Sequence, residues 1–516
     1  MILLLAPALA LDVEEPPLLV IAATGMDSGV GSPFALVDNP SMGTEDDLVY
    51  REEGNGSVVF TAELEDGRES LWIWQEGLTP IAVQGDPTPD GSGTWESFSW
   101  GGVPGRAVVQ DGYGSFAFWA QVNGKSSIWA GDGSGVEPIA VEGEGYGWLS
   151  SDLQMNPGPA VLFSECSGPN DRTTCTWYAK VFDNPQTLRL IGPGDIVAGR
   201  DVVSVDPIFL TTSYNVMVGV STLDDEGAEQ GMVALLDFLG TPETTPFMSG
   251  QGHDGIGTDQ VIGDVQLLSA GPFFDRALVS ASIEDEHGNV VDAGHFFGPT
   301  DSMERVLELG SAVDYAPGPL TAVGDATCWD EGILFSCTLG DSAEGLCAWW
   351  EGSAWALVWD GKQLENVQFQ GPYAGELDTA GGVLFTAILT GGFIDLWSNA
   401  WESESFYFGS YYPFKVQGVG EVEVESVGLN SGYRGGVQSR AFSRGQGAVV
   451  ANTLGPDGAY GTAIVGLNMV SSSGEAEPGP EVEEKRGCRG GSASGLVLLT
   501  LLGIRRPRRR GEATGA

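Results

Sequence analysis

The chain predicts an all-β fold of short strands in repeated units, and three observations predict it. Glycine and aromatic residues are plentiful (77 Gly, 22 Phe, 15 Trp and 12 Tyr in 516 residues) while charged residues make up only 18%, the composition of tight turns joining apolar strands. A decamer, EGNGSVVFTA at 53–62, returns as DGYGSFAFWA at 111–120. No segment before the C-terminal tail has sustained helical periodicity.

MILLLAPALA, residues 1–10, reads as a short export signal without a basic start; a buried first strand is the alternative. LDVEEPP follows as a linker, and LLVIAATG (18–25) has the I-A-x-x-G pattern of a unit's third strand but lacks the first two. The unit itself is an apolar strand, a turn such as EDG or NG, a second strand carrying Leu-Trp or Ile-Trp, another turn, and an I-A strand. Phe60 to Phe118 and Ile81 to Ile139 are both 58 residues apart, so the first two units are nearly in register. Weaker copies begin at Asn156, Asn215, Arg276, Glu331, Asp378 and Gly445, which makes eight. Trp72, Trp129, Trp177, Trp349 and Trp397 each follow the strand Phe by 11 to 14 residues, the spacing of hairpin neighbours.

Three or four strands per unit of about 50–60 residues match a propeller blade. The expectation is a β-propeller of about eight blades, seven being the other count, spanning residues 18–470. The last copy lacks a closing strand and the first residues supply a spare one. A ring closed by the N-terminal strand removes both exposed edges, which a linear array would leave open to aggregation.

Cys166 and Cys175 flank SGPNDRTT, and Cys337 and Cys347 flank TLGDSAEGL. A Phe (Phe163, Phe335) stands before each first Cys and a Trp (Trp177, Trp349) two residues after each second. Both pairs therefore take the same place in two copies of one hairpin, and two disulfides are expected, with free buried thiols as the alternative. Cys328 is left over, and Cys488 belongs to the tail.

The chain has 71 acidic and 23 basic residues, and eight of the basic ones lie from Lys485 onward. Such a body repels phosphate backbones and anionic lipid, so nucleic acid is not an expected partner. No cofactor is expected. A structural divalent cation would suit the acid excess, but no D-x-[DN]-x-[DN]-G loop supports it.

The decamer resembles the NxxGxxAF tandem repeat of bacterial exported proteins. Asp111, Gly114, Ala117 and Phe118 match with Asp for Asn; Asp378, Gly381 and Phe385 match more loosely, with Leu384 for the Ala; Asn156 and Phe163 keep both ends around Leu162, with Pro159 for the Gly. IAVQGDPTPDGSGTW (81–95) is similar to that family's I-A-x-x-G-D continuation. The resemblance covers most of 18–470, is degenerate from about 200 to 330, and implies a repetitive extracellular β protein with no catalytic role attached. It assigns Phe60, Phe118, Phe163 and Phe385 to the repeat's structure.

Residues 471–487 form an acidic Pro/Gly/Ser linker, and 488–510 are a separate object. Cys488, Gly490 and Gly491 precede an apolar stretch, expected as a short hydrophobic helix, and then Arg505, Arg506, Arg508, Arg509 and Arg510. This order resembles the myxobacterial Cys-containing and Gly-Gly C-terminal sorting signals. The resemblance implies a membrane sorting protease as partner, cleavage near Cys488 to Gly491, and attachment to the envelope or surface. A simple tail anchor is the alternative; twelve helical residues span only about 18 Å of a core of about 30 Å.

No catalytic constellation appears. TPDGSGTW (88–95) nearly fits a sialidase Asp box, itself a turn device, and the acids of DDEG and EDEHGN sit beside Gly as in hairpin turns. His253, His287 and His295 lack a metal-ligand spacing. The expected function is a surface-anchored binding scaffold whose ligand, a surface glycan or protein, is unknown. FYFGSYYPF (406–414) offers rings for stacking. A glycan-active enzyme of hydrolase or lyase type on the same scaffold is the alternative.

Overall fold

The computed structural model describes residues 18–467, apart from 43–56, 99–107, 429–441 and interruptions of one to five residues. Residues 1–17 and 468–516, with the export signal, the linker, the expected helix and Cys488 to Arg510, lie outside the described residues, as do Asp111, Gly114, Asn156, Asp378 and Gly381. The described residues hold strands and turns and no helix.

The strands form eight antiparallel sheets in chain order. Sheet 1 shows the plan: Phe34–Met42, Val58–Leu64, Glu69–Trp74 and Leu78–Val83, each pairing with the next. Sheets 2 to 7 repeat it around Phe116–Val122, Ala160–Cys166, Asn215–Leu223, Ala277–Asp285, Gly332–Leu339 and Val383–Leu389 as second strands. Sheet 8 consists of Pro413–Val416, Gly420–Gly428, Phe442–Ser443, Gln446–Leu454, Tyr460–Leu467 and the chain's first strand, Leu18–Ala23. That first strand pairs with Tyr460–Leu467, from Leu18 opposite Leu467 to Ala23 opposite Ala463. The strand expected to complete the last unit does so.

Apolar clusters join each sheet to the next. Phe116, Phe118 and Trp129 of sheet 2 pack on Val59, Leu71 and Ile73 of sheet 1, while Ala117, Trp119 and Ile128 on the opposite face of the sheet pack on Leu149, Val161 and Phe163 of sheet 3. The same pattern links sheets 3 and 4, 4 and 5, 5 and 6, 6 and 7, and 7 and 8. Ile21, Ala22, Ala448 and Ile464 of sheet 8 then meet Phe34, Phe60 and Trp72 of sheet 1. The packing closes on itself, which is the β-propeller arrangement. Strands buried on both faces read as near-continuous apolar runs, and that is why VVF and FAFWA do not alternate.

The hairpin turn that follows the decamer is local chemistry. Asn123 and Gly124 both have positive φ (53° and 72°), the two-residue turn that matches strand twist and joins Phe116–Val122 to Lys125–Asp132. Phe60 lies opposite Trp72, Phe118 opposite Trp129, and Phe385 opposite Trp397. In sheets 1 and 2 the indole N–H donates to a serine two residues earlier, Trp72 to Ser70 (2.9 Å) and Trp129 to Ser127 (2.8 Å). Each serine donates in turn across the strand, to the carbonyls of Ala62 and Ala120.

Sheets 3 and 6 depart from that plan. Phe163 faces Tyr178, with rings stacked at 5.6 Å, and Trp177 faces Ser164 and packs toward sheet 4. Cys175 stands two residues before Trp177 where a serine hydroxyl would be, and Trp177 Nε1 has no hydrogen-bond partner. Both disulfides form, Cys166–Cys175 and Cys337–Cys347, but the expectation that they take equivalent places needs correction. Cys166 shares its strand face with Leu162, which packs on sheet 4. Cys337 and Cys347 belong to the cluster shared with sheet 5, where Cys347 lies opposite Phe335 and Cys337 opposite Gly345. The first Cys follows its Phe by three residues in sheet 3 (Phe163 to Cys166) and by two in sheet 6 (Phe335 to Cys337), and that one-residue difference puts the two bridges on opposite faces of their sheets.

The first strand of each sheet is the element the repeat did not reveal. It is broken by a bulge between Asp38 and Ser41, Val205 and Ile208, Ile262 and Val265, Val323 and Ala326, Gln370 and Ala374, and Val424 and Ser426. In sheets 2 and 3 it is split into two short pieces. Buried polar side chains fasten these inner regions together. Gln110 Nε2 donates to the Ser57 carbonyl (2.8 Å), Leu210 N–H donates to Gln154 Oε1 (2.8 Å), and Cys328 N–H donates to Ser269 Oγ (3.0 Å). Each joins adjacent sheets, and each leaves a costly unpaired group if its partner is lost.

Candidate functional site

Of the carboxylates that sequence considers for chemistry, Asp90, Asp224 and Asp285 are engaged in their own turns, and Asp225 and Glu226 lie outside the described residues. Asp224 accepts from the Ala228 N–H (2.8 Å) and from Gln230 Nε2 (2.8 Å). Asp285 accepts from the N–H groups of His287 and Asn289 and from the Asn289 amide, which hold this exposed carboxyl below the ordinary range. Glu286 pairs with His287 at 3.6 Å. In TPDGSGTW, burial acts to raise the Asp90 carboxyl, and hydrogen bonds from Ser92 and Thr88 outweigh it, leaving the group lowered. Thr88 Oγ1 receives the Gly93 N–H, and Trp95 packs 4.7 Å from Trp129. The segment is a brace between sheets 1 and 2.

The three histidines stand apart. His287 is in the exposed turn; His295, half-buried on Val290–Gly298, is lowered by desolvation. Among the described residues, no three His, Cys, Asp or Glu side chains are grouped to hold a metal. Ala117 and Phe118 are fully buried in opposite faces of one strand, and Phe60, Phe163 and Phe385 are buried likewise. The repeat residues that are described thus belong to packing. The side chains of the 406–414 stretch lie outside the described residues.

The feature with the geometry of a site was not singled out from sequence. A cleft of about 610 Å3 lies between Thr245–Phe247 at the outer edge of sheet 4, the connection 251–260, and the turn 300–303 of sheet 5. His253 forms its hub. Its ring stands edge-on to Phe247 (5.9 Å) and Phe296 (5.0 Å). Nδ1 accepts the Gly255 N–H (2.9 Å), so Nε2 carries the proton and donates to the Met303 carbonyl (2.8 Å). One imidazole therefore ties the connection to the opposite wall. The connection is also braced from within: Gly257 N–H donates to Gln260 Oε1, and Gln251 links the Met248 N–H to the Pro246 carbonyl. The opposite wall is held by a hydroxyl pair, Thr244 and Thr300. The sequence signal was a histidine in the glycine-rich run SGQGHDGIG of a chain with only three.

Eight sheets that share cores around a closed circuit define the class as a β-propeller. No family model matches the chain, and no curated protein matches it. Among solved structures, the chain is similar to the β-propeller domain of the Trilobed protease from Pyrococcus furiosus, at 11% identity and a TM-score of 0.38, covering 73% of this chain and 98% of that one. It is similar to the Dos1 propeller at 11% identity and a TM-score of 0.37, covering 85% and 96%. A post-proline cleaving enzyme from Rickettsia typhi gives 11% identity and a TM-score of 0.35, over 70% of this chain and 50% of that one. Likeness at this level carries no argument about activity or ligand, and the architecture stands on strand pairing and packing.

Proposed function

We propose that the protein is an exported, envelope-associated β-propeller of eight blades that serves as a binding scaffold. The observation that carries the reading is the use of its carboxylates. Those of the acidic turns, Asp90, Asp224 and Asp285, accept hydrogen bonds from their own turns, which suits a rigid frame for loops. Two disulfides in the described residues fit maturation in an oxidising compartment. The acid excess fits a solvated exported surface. Attachment rests on the order of Cys488, Gly490, Gly491, apolar run and arginines.

The test is fractionation and protease shaving of producing cells that carry the full chain or its Cys488→Ala variant. Surface exposure of the full chain, with a processed tail that the variant fails to produce, is expected. Retention of both forms inside the cell would overturn export. Identical processing and retention in both would overturn the sorting step.

A further inference from the structure

We infer that the cleft between the outer edges of sheets 4 and 5 is a binding site for a neutral saccharide. This rests on the binding-scaffold reading and names the ligand class for one place on it. Four properties of the cleft argue for it.

The volume, about 610 Å3, falls in the range of small-molecule sites. The lining chemistry selects against charge of one sign: hydroxyls, amides and the carboxylates of Asp254 and Asp301 face the cleft, and no Lys or Arg lines it. An anionic sugar or phosphate would find no counter-charge there, and the formal net charge of −48 opposes its approach. A neutral polyol matches the lining group for group. Its hydroxyls donate to Asp254 and Asp301 and accept from Thr245 and Thr258, while Ile256 and the edge of the His253 ring give its C–H face an apolar contact.

The walls are also pre-formed. His253 holds the connection 251–260 against Met303 through its two ring nitrogens, Gln260 accepts the loop's Gly257 N–H, and Gln251 ties the start of the loop to Met248 and Pro246. A ligand therefore meets an ordered surface and loses little to loop ordering. The groups offered to it, Asp254, Thr258 and Asp301, are exposed, so binding does not have to dismantle the fold.

The experiment uses the full chain in titration calorimetry and ligand-observed NMR with neutral cello-, malto- and mannotetraose, and with a galacturonic acid tetramer as the anionic comparator. Thr258→Trp fills the cleft from an exposed loop position, and Asp301→Ala removes a carboxylate from an exposed turn. Circular dichroism and the two disulfides report that each variant is folded. At least one neutral tetramer should bind tenfold or more tighter than the galacturonate, and each variant should weaken it at least tenfold. Neutral binding that both folded variants leave unchanged overturns the assignment to this cleft while leaving the scaffold reading intact. Binding of galacturonate in preference, or of none of the neutral oligomers, overturns the saccharide class; the scaffold reading is judged separately by the surface-exposure experiment.

Discussion

Closure of the ring by the first strand can be tested at Ile21. Its side chain is 2% exposed and packs among Phe34, Phe60, Trp72 and Ile464, where sheet 8 meets sheet 1. It occupies the irregularity between the Val20 and Ala22 pairings, so its burial depends on the whole strand being docked. Ile21→Ala removes buried carbons and leaves a cavity, a change worth about 2–4 kcal/mol for a large-to-Ala substitution in a core. That loss falls on the closing strand, so it appears as local opening. At about 1.4 kcal/mol per factor of ten, the amides of Leu18–Ala23, and those of Ala463–Leu467 bonded to them, should exchange about 30- to 700-fold faster by hydrogen-exchange mass spectrometry. Leu239→Ala, at a position 77% exposed, is the control and should change exchange by less than threefold. Unchanged protection of Leu18–Ala23 in Ile21→Ala would refute the docking of this strand. A permuted chain that joins Leu467 to Leu18 through Asn-Gly and opens in the 340–342 turn should fold with wild-type protection, because Leu18 and Leu467 are direct partners.

Other consequences are independent of closure. Replacing Cys166 and Cys175 by serine should lower stability by about 2.6 kcal/mol, the loop-closure value for a separation of 9; a denaturant midpoint equal to wild type would contradict it. Cys328, buried and bonded to Ser269, should react with a thiol reagent only after unfolding, and labelling of the native ring would refute its burial. Trp129→Phe should cost about 1 kcal/mol more than Trp177→Phe, because only Trp129 Nε1 has a hydrogen bond to lose. Burial first, and then the hydrogen bond to Glu165, push Tyr178 from 10.0 up to about 12. Its contribution is present in full below pH 10 and declines as pH rises through about 12. Tyr178→Phe should flatten stability in that window, and an unaltered alkaline slope would count against the pair. Asp292, lowered first by the Arg305 hydrogen bond and then by the Ala293 N–H, contributes stability above the ordinary value of 3.8 that is lost as pH falls through its folded pKa. Arg305→Gln should raise the Asp292 titration seen by carboxyl NMR.

Much of this architecture was legible from residue order. A strand's apolar run, its turn residues and a Trp one hairpin away are local chemistry, so Phe60 opposite Trp72 and Phe118 opposite Trp129 follow from spacing. The spare strand at 18–23 and the missing one after Leu467 were complementary halves of one pattern. The inner strands were not legible, because bulges such as those at Asp38 to Ser41 and Val205 to Ile208 interrupt the period-two signal. The faces of the two disulfides differ by parity: Cys166 stands three residues after Phe163 and Cys337 two after Phe335, a difference present in the residue order, while the neighbouring sheet that each face serves is set by packing.

The sequence by itself determined strand content, turn chemistry, the two cysteine pairs and the means of closing the ring, since each depends on residues near one another or on edges that must be covered. The tertiary structure alone decided which face each side chain serves, which polar groups fasten neighbouring sheets, and where a cleft opens. His253 meets Met303, 50 residues away, because two sheets pack side by side. Contacts across that distance are set by packing and register, and no local pattern records them.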